Sequence, residues 1–243
     1  MNKPIVIAGA GIIGVSIAYH LAKAGAHVVI IDKGEPGQGA TADSFAWINA
    51  SRGKTPYYYY MLNRLGIGAW HQLDLELDGT LGVVWGGSVE WGQDSAETQT
   101  ILTETHQHQQ NGYPLQQIDM ATLTQLEPNV ETGSADVAVY TPIEGHIDPV
   151  AATHVLLAKA CELGVELKTA CEVVGLTMAH GRLQAVETTQ GIIETESPVA
   201  TVHPKLPHLQ ACLCRYKILP VCWRTPSRYL RLSSVLFCLR MVT

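Results

Sequence analysis

Three glycines and one aspartate near the start of the chain have the types and spacing to hold a dinucleotide. Gly9-x-Gly11-x-x-Gly14 stands where a short apolar stretch gives way to a helical period, and each glycine there has its own physical task. Gly9 permits a tight turn, Gly11 lets the backbone approach a pyrophosphate, and Gly14 lets helix and strand pack closely. With Ala10, Ile12 and Ile13 between them, these residues open a helix whose first N–H groups and positive dipole end face the phosphates, so no side-chain cation is required. Asp32, eighteen residues after Gly14, can accept hydrogen bonds from a ribose diol, and its charge disfavours a 2′-phosphate, which points to FAD or NAD rather than NADP. Lys33 to Ser44 then form a loop of small residues rich in backbone donors and hydroxyls, in which Lys33, Ala40, Thr41 and Ser44 are candidate cofactor contacts. A flexible connection is the plainer reading of that loop, but an NAD-binding unit more often continues promptly into another helix and strand.

The elements that must position these residues are legible in the periodicity. Ile5 to Ala8 reads as a short buried strand and Ile12 to Ala24 as a helix with Ile13, Ile17, Ala18 and Leu21 on its stripe, stopped by Gly25. His27 to Ile31 reads as a second buried parallel strand ending at Asp32. Lys3 followed by apolar residues could also pass for a secretory leader or a membrane span, yet the glycine turn and the second strand have no place in a leader. Cytoplasmic location is therefore the default expectation, with no integral membrane segment.

The chain is 243 residues long, 47% apolar and 16% charged, enough to bury a core and too apolar for intrinsic disorder. Its net charge of -6 argues against a nucleic-acid partner. The average hides a seam: every acid lies at or before Glu196, so residues 1–200 carry -13 and residues 201–243 carry +7. Four of the six cysteines, Cys212, Cys214, Cys222 and Cys238, also fall after the seam, and the spacing fits no disulfide scaffold or common zinc site.

Beyond the first strands, the ordered set VIAGAGIIGVSIAYHLAKAGAHVVIIDKG, GQGATADSFAWINAS, GGSVEWG, LEPNV and EGHIDPVAATHVLLAKACELGVELKTACEVVGL resembles the FAD-dependent D-amino acid oxidase superfamily, which includes glycine oxidase, sarcosine oxidase and D-amino acid dehydrogenases. The resemblance covers most of residues 3 to 200. It implies an α/β fold: a Rossmann-type FAD-binding domain with a parallel sheet, an inserted α+β substrate domain, and incompleteness at the C-terminus. Residues 1–54 would be the first FAD-binding segment, 55–140 a substrate-domain segment, 141–200 the second FAD-binding segment, and 201–243 an atypical basic, Cys-rich tail. The implied cofactor is FAD. The implied reaction is oxidation of the C–N bond of a small amino acid or amine by hydride transfer to flavin N5, with the family's carboxylate-binding residues falling largely after this part of the chain, so no catalytic residue is assigned. Val173 would lay its backbone against the adenine, although an ordinary core valine fits that position as well.

The later segments also read from their own residues. Asp148 can cap a helix with Pro149 in its first turn and Val150, Val155, Leu156 and Cys161 on its apolar stripe, ended by Gly164. Val165–Lys168, Glu172–Met178 and Arg182–Thr188 read as strands, the last two as a hairpin. Tyr57 to Met61, Leu65 and Trp70 read as one aromatic-rich helix face, expected to pack in a core. Val83–Trp85 and Ser88–Trp91 read as strands, Ala96–Gln110 as a polar surface helix and Leu123–Leu126 as a short helix. His106-x-His108 splits its rings across two helix faces and reads as solvated surface rather than metal site; His146 reads as a structural residue beside a cap.

After Glu196 the text departs from the family pattern. Val199 to Val202 begins the expected strand, but no glycine follows Gly191, which is unusual for this fold. A reading-frame shift near residue 200 accounts for the change: back-translating Val221 to Leu230 in another frame permits a family-like segment, and the nucleotide sequence across codons 190 to 243 decides it. A divergent basic tail that binds a partner or an anionic surface is the rival. Two functional classes follow, an FAD-dependent amino acid or amine oxidoreductase and a non-catalytic remnant of one.

Overall fold

A computed structural model describes residues 3–133 and 135–201. The expectations placed on residues 202–243 lie outside the described residues. The chain opens with β1 (Ile5–Ala8), α1 (Ile12–Lys23), β2 (Val28–Ile31) and β3 (Trp47–Ile48). It continues with α2 (Tyr57–Glu76), β4 (Ser88–Trp91), α3 (Ser95–Gln110), β5 (Gln116–Asp119), α4 (Met120–Leu126), β6 (Val137–Thr141) and β7 (Gly145–His146). Then come α5 (Pro149–Glu162), β8 (Glu166–Lys168), β9 (Val173–Ala179), β10 (Arg182–Thr188), β11 (Gly191–Glu194) and β12 (Ser197–Ala200). Two compact units result, one holding the described residues up to Phe45 and from Asp148 onward, the other Ala46–Ile147. The sequence reading put the changes of domain at 54/55 and 140/141; the pairing of β3 with β7 gathers the residues on either side of those points into the second unit.

In the first unit a parallel sheet runs in the order β12-β1-β2-β8. All four residues of β2 are buried, as a strand covered on both faces requires. The helix α1 links β1 to β2 and packs against α5. The buried face of α1 is Gly14, Val15, Ala18, Tyr19 and Ala22, which leaves Ile13, Ile17 and Leu21 of the expected stripe half-buried at its margin. The same rotation occurs in α5. Its buried residues are Ala152, Thr153, Leu156, Leu157 and Ala160, while Val150 and Val155 are half-buried and Cys161 is exposed. In both helices alanines, with Gly14 in α1, share the packed face with larger side chains, Val15 and Tyr19 in α1 and Leu156 and Leu157 in α5.

Asp148 caps α5, accepting from the N–H groups of Val150 and Ala151 at 2.9 Å, with Pro149 in the first turn. The antiparallel sheet β11-β10-β9 includes a strand, β11, that the sequence reading did not separate. Val6, Val29 and Ile31 of the parallel sheet share one apolar cluster with Cys171 and Val186. Burial of each such valine or isoleucine contributes about 1.5–3 kcal/mol, so the two sheets form one core.

The second unit pairs β3 with β7 and carries the antiparallel sheet β4-β6-β5 with α2, α3 and α4. Asp94 caps α3 and Asp119 caps α4. The expected core face of α2 is corrected: Tyr60, Ile67 and Leu73 are buried, whereas Leu65 is 67% exposed and Tyr57 and Tyr58 are exposed. Val83–Trp85 forms no strand; Val84 makes a single bridge to His146.

Candidate functional site

The turn between β1 and α1 is built by close backbone approach. Gly9 has φ of 116°, in the left-handed region that glycine tolerates, and its N–H donates to the Ile31 carbonyl at 2.8 Å. A Cβ on Gly14 would lie 1.9 Å from the Gly9 carbonyl oxygen, and one on Gly11 would lie 2.9 Å from the Thr41 hydroxyl. Gly11 is the N-cap of α1 and offers no side-chain hydrogen bond, so the first turn of the helix is supplied from elsewhere. The Ile12 N–H donates to the Thr41 hydroxyl at 3.1 Å, and that hydroxyl still has its own proton to donate.

Asp32 ties this turn to the loop after β2. One carboxylate oxygen accepts from the Ala10 N–H at 2.7 Å and the other from the Gly34 N–H at 2.9 Å. Each oxygen keeps further lone-pair capacity for a ligand hydroxyl. Gly37 N–H donates to the Ala10 carbonyl at 2.9 Å, which draws the loop across the glycine turn, and Ser44 folds back on the Thr41 carbonyl. Gly9, Ala10, Gly11, Ile12, Gly14, Asp32 and Thr41 are thus gathered by direct contacts, with Ile13 in the same helical turn. Thr41 is buried, whereas Lys33, Ala40 and Ser44 are exposed along the loop. Val173 opens β9 opposite Thr188, its side chain packed on the core cluster, a place compatible with either reading of it.

Thr201, which the sequence reading took only as part of a strand, closes the turn from the other side. Its N–H donates to the Ala8 carbonyl at 2.9 Å, and its hydroxyl lies 3.0 Å from the Ala8 and 3.3 Å from the Gly9 carbonyl oxygen. A cradle in which a Cβ would collide, a helix N-terminus without its own cap, and a carboxylate at the end of the adjacent strand together fit the diphosphate and ribose of FAD.

The second unit holds a separate polar cluster centred on Glu144, a residue with no exposed surface. Its Oε1 accepts from the N–H groups of Ala50 and Ser51, both at 2.9 Å, and from the Tyr113 hydroxyl at 2.7 Å; its Oε2 accepts from the Ser88 hydroxyl at 2.6 Å. Burial, together with the adjacent Glu144 charge, pushes the Tyr113 hydroxyl pKa far up. Burial lowers the pKa of Lys54, against the attraction of Glu144. The expectation of a solvated His106-x-His108 pair holds for His106, which is exposed, and is corrected for His108. The His108 ring lies 4.8 Å from that of Tyr60, and burial lowers its pKa against the effects of Ser51, Glu104 and Glu144. The signal available in the sequence is Glu144 itself, the acid that opens the EGHIDP segment and to which the motif gives no role.

Among the described residues no group of three His, Cys, Asp or Glu is placed to hold a metal ion, and no helix is long and apolar enough to cross a membrane. Residues 4–203 match the family described as FAD dependent oxidoreductase, DAO. The chain is 31% identical over 197 residues to the mitochondrial dimethylglycine dehydrogenase of Mus musculus, covering 77% of this chain and 22% of that protein. It is 26% identical over 201 residues to the glycine oxidase of Bacillus licheniformis, covering 80% of this chain and 52% of that protein. The fold superposes on the crystal structure of glycine oxidase from Geobacillus kaustophilus with a TM-score of 0.78 at 22% identity, over 88% of this chain and 58% of that one. The chain therefore spans about a fifth of the length of the dehydrogenase and about half that of the glycine oxidases.

Proposed function

The chain belongs to the FAD dependent oxidoreductase family, with FAD as its cofactor, and from that premise we propose that it oxidises the C–N bond of a small amino acid or secondary amine. The observation that carries the reading is the β1–α1 turn, where Gly9, Gly11, Gly14 and Asp32 form a dinucleotide cradle in a chain whose relatives are named for dimethylglycine and glycine. FAD bound there supplies the hydride acceptor, flavin N5, that such an oxidation needs.

The chain's own residues bind and orient. The opening of α1 directs N–H groups and the positive end of the helix at the diphosphate, while Thr41 holds the Ile12 N–H and can donate its own proton to the same anion. Asp32 would accept from the ribose hydroxyls, and by holding Ala10 and Gly34 it ties together the two loops that meet at it. Lys33, Ala40, Ser44 and the backbone of Val173 complete the proposed cofactor contacts. We assign the substrate domain to the segment 55–140, which lies within the second unit, and the reaction to the cytoplasm.

That the family match ends at residue 203 of 243 favours a second reading, a non-catalytic remnant of such an enzyme with weak or no dinucleotide binding. One experiment separates the two. Purified protein is reconstituted with FAD and mixed anaerobically with glycine, sarcosine, N,N-dimethylglycine or a D-amino acid. Bleaching of the flavin absorbance by any of them supports the oxidoreductase; FAD that none of them bleaches, or that the protein does not retain, supports the second reading.

A further inference from the structure

The four donors to Glu144 come from three separate stretches of chain, and two of them are consecutive main-chain N–H groups, Ala50 and Ser51. An oxygen that accepts from two successive peptides fixes their planes, so the start of the stretch 49–54 is held by a carboxylate with no access to water. That stretch carries two cations with different surroundings. Arg52 pairs with Glu90 and, at 3.6 Å, with Glu97. Lys54 is half-buried with its ammonium 5.6 Å from the centre of the Tyr59 ring, and among the described residues no acid forms an ion pair with it.

We infer that Glu144 is a positioning residue: its buried carboxylate holds residues 49–54 so that the Lys54 ammonium receives the carboxylate of a small ligand. The ligand class rests on the proposed function, since an amino acid or N-methylated amino acid carries that group. Glu144 acts in two ways. Its hydrogen bonds place the start of the segment, and its charge opposes the burial that lowers the Lys54 pKa. Glu144 is engaged by Ala50, Ser51, Tyr113 and Ser88, and among the described residues no carboxylate forms an ion pair with Lys54, so the ammonium's donors are left to the incoming anion.

The test uses the full chain reconstituted with FAD and titrated calorimetrically with N,N-dimethylglycine and with its neutral amide. Wild type should bind the carboxylate at least about tenfold more tightly than the amide. Lys54→Met should remove that preference. Glu144→Gln, which can still accept from Ala50 and Ser51 but lacks the charge, should cut it about fivefold while leaving amide binding unchanged. Ser88→Ala, which removes one neutral donor and keeps the charge, should cut it less and stands in if Glu144→Gln does not fold. No carboxylate binding by wild type at millimolar concentration, or a preference unchanged in Lys54→Met, overturns the inference, as does one unchanged in both Glu144→Gln and Ser88→Ala. A Lys54-dependent preference in a protein whose flavin is never bleached defeats the proposed function and leaves this inference standing. Bleaching with the preference unchanged in Lys54→Met does the reverse.

Discussion

Gly14→Ala isolates the close approach on which the cradle depends. The added Cβ would lie 1.9 Å from the Gly9 carbonyl oxygen, 2.9 Å from the Thr201 hydroxyl and 3.0 Å from the Gly9 carbonyl carbon. An unstrained C···O contact is about 3.3 Å, so the start of α1 must move roughly 1.4 Å away from the turn, and neither obstacle at Gly9 is a flexible side chain. Overpacking of this kind costs about 1–3 kcal/mol of stability. The movement also shifts the first N–H groups of α1, which should weaken FAD binding at least about tenfold. The measurements are a urea melt and a titration of apoprotein with FAD followed by flavin fluorescence. Gly68→Ala is the control: it lies inside α2 with nothing within 4 Å of an added Cβ, and should raise stability by about 0.5–1 kcal/mol with FAD affinity unchanged. A Gly14→Ala protein that binds FAD within about threefold of wild type would refute the reasoning.

Asp32→Ala removes the acceptor shared by the Ala10 and Gly34 N–H groups and should weaken FAD at least about tenfold, checked by the same titration. Asp148→Ala should cost about 1 kcal/mol in a urea melt through loss of the α5 cap, with FAD affinity nearly unchanged. Tyr113 has its folded pKa raised above the ordinary 10.0, so its contribution to stability is complete below about pH 10 and is lost as pH rises beyond it. Melts between pH 8 and 12 should show that loss in wild type and a shallower one in Tyr113→Phe; identical slopes would exclude Tyr113 as its source. Asp119 has its pKa lowered by the bonds to Thr122, so its cap on α4 is intact above the ordinary carboxylate value of 3.8 and is lost as pH falls through the folded pKa. Helix signal lost below pH 4 should be smaller in Asp119→Asn.

The parts of the site that a sequence can announce are those made by neighbours in the chain. The glycine turn, the strand before it, the acid after the second strand and the Asp148-Pro149 cap are all local devices, and each appears in the structure as the spacing implies. Glu144 was not legible because its partners, Ala50, Ser51, Ser88 and Tyr113, are each more than thirty positions away and have no pattern of their own. The inward faces of α2 and α5 failed for a related reason. Periodicity gives the repeat of a helix but not its rotation, and Leu65 and Cys161 lost the buried side to residues that fit a particular neighbour. His108 was read by the polarity of its helix, while its burial comes from Tyr60 on another one.

The place of β1 between β2 and β12 also sets an order of events in synthesis. Residues 5–31 leave the ribosome well before the strand that covers the other edge of β1, Ser197–Ala200. The bond from the Thr201 hydroxyl to Ala8 spans 193 positions. At about 5–20 residues per second, that edge waits roughly 10–40 s with its N–H and C=O groups unpaired. The stretch 46–147 is contiguous and can close its own sheet in the meantime, so the half of the cradle written first is the half completed last.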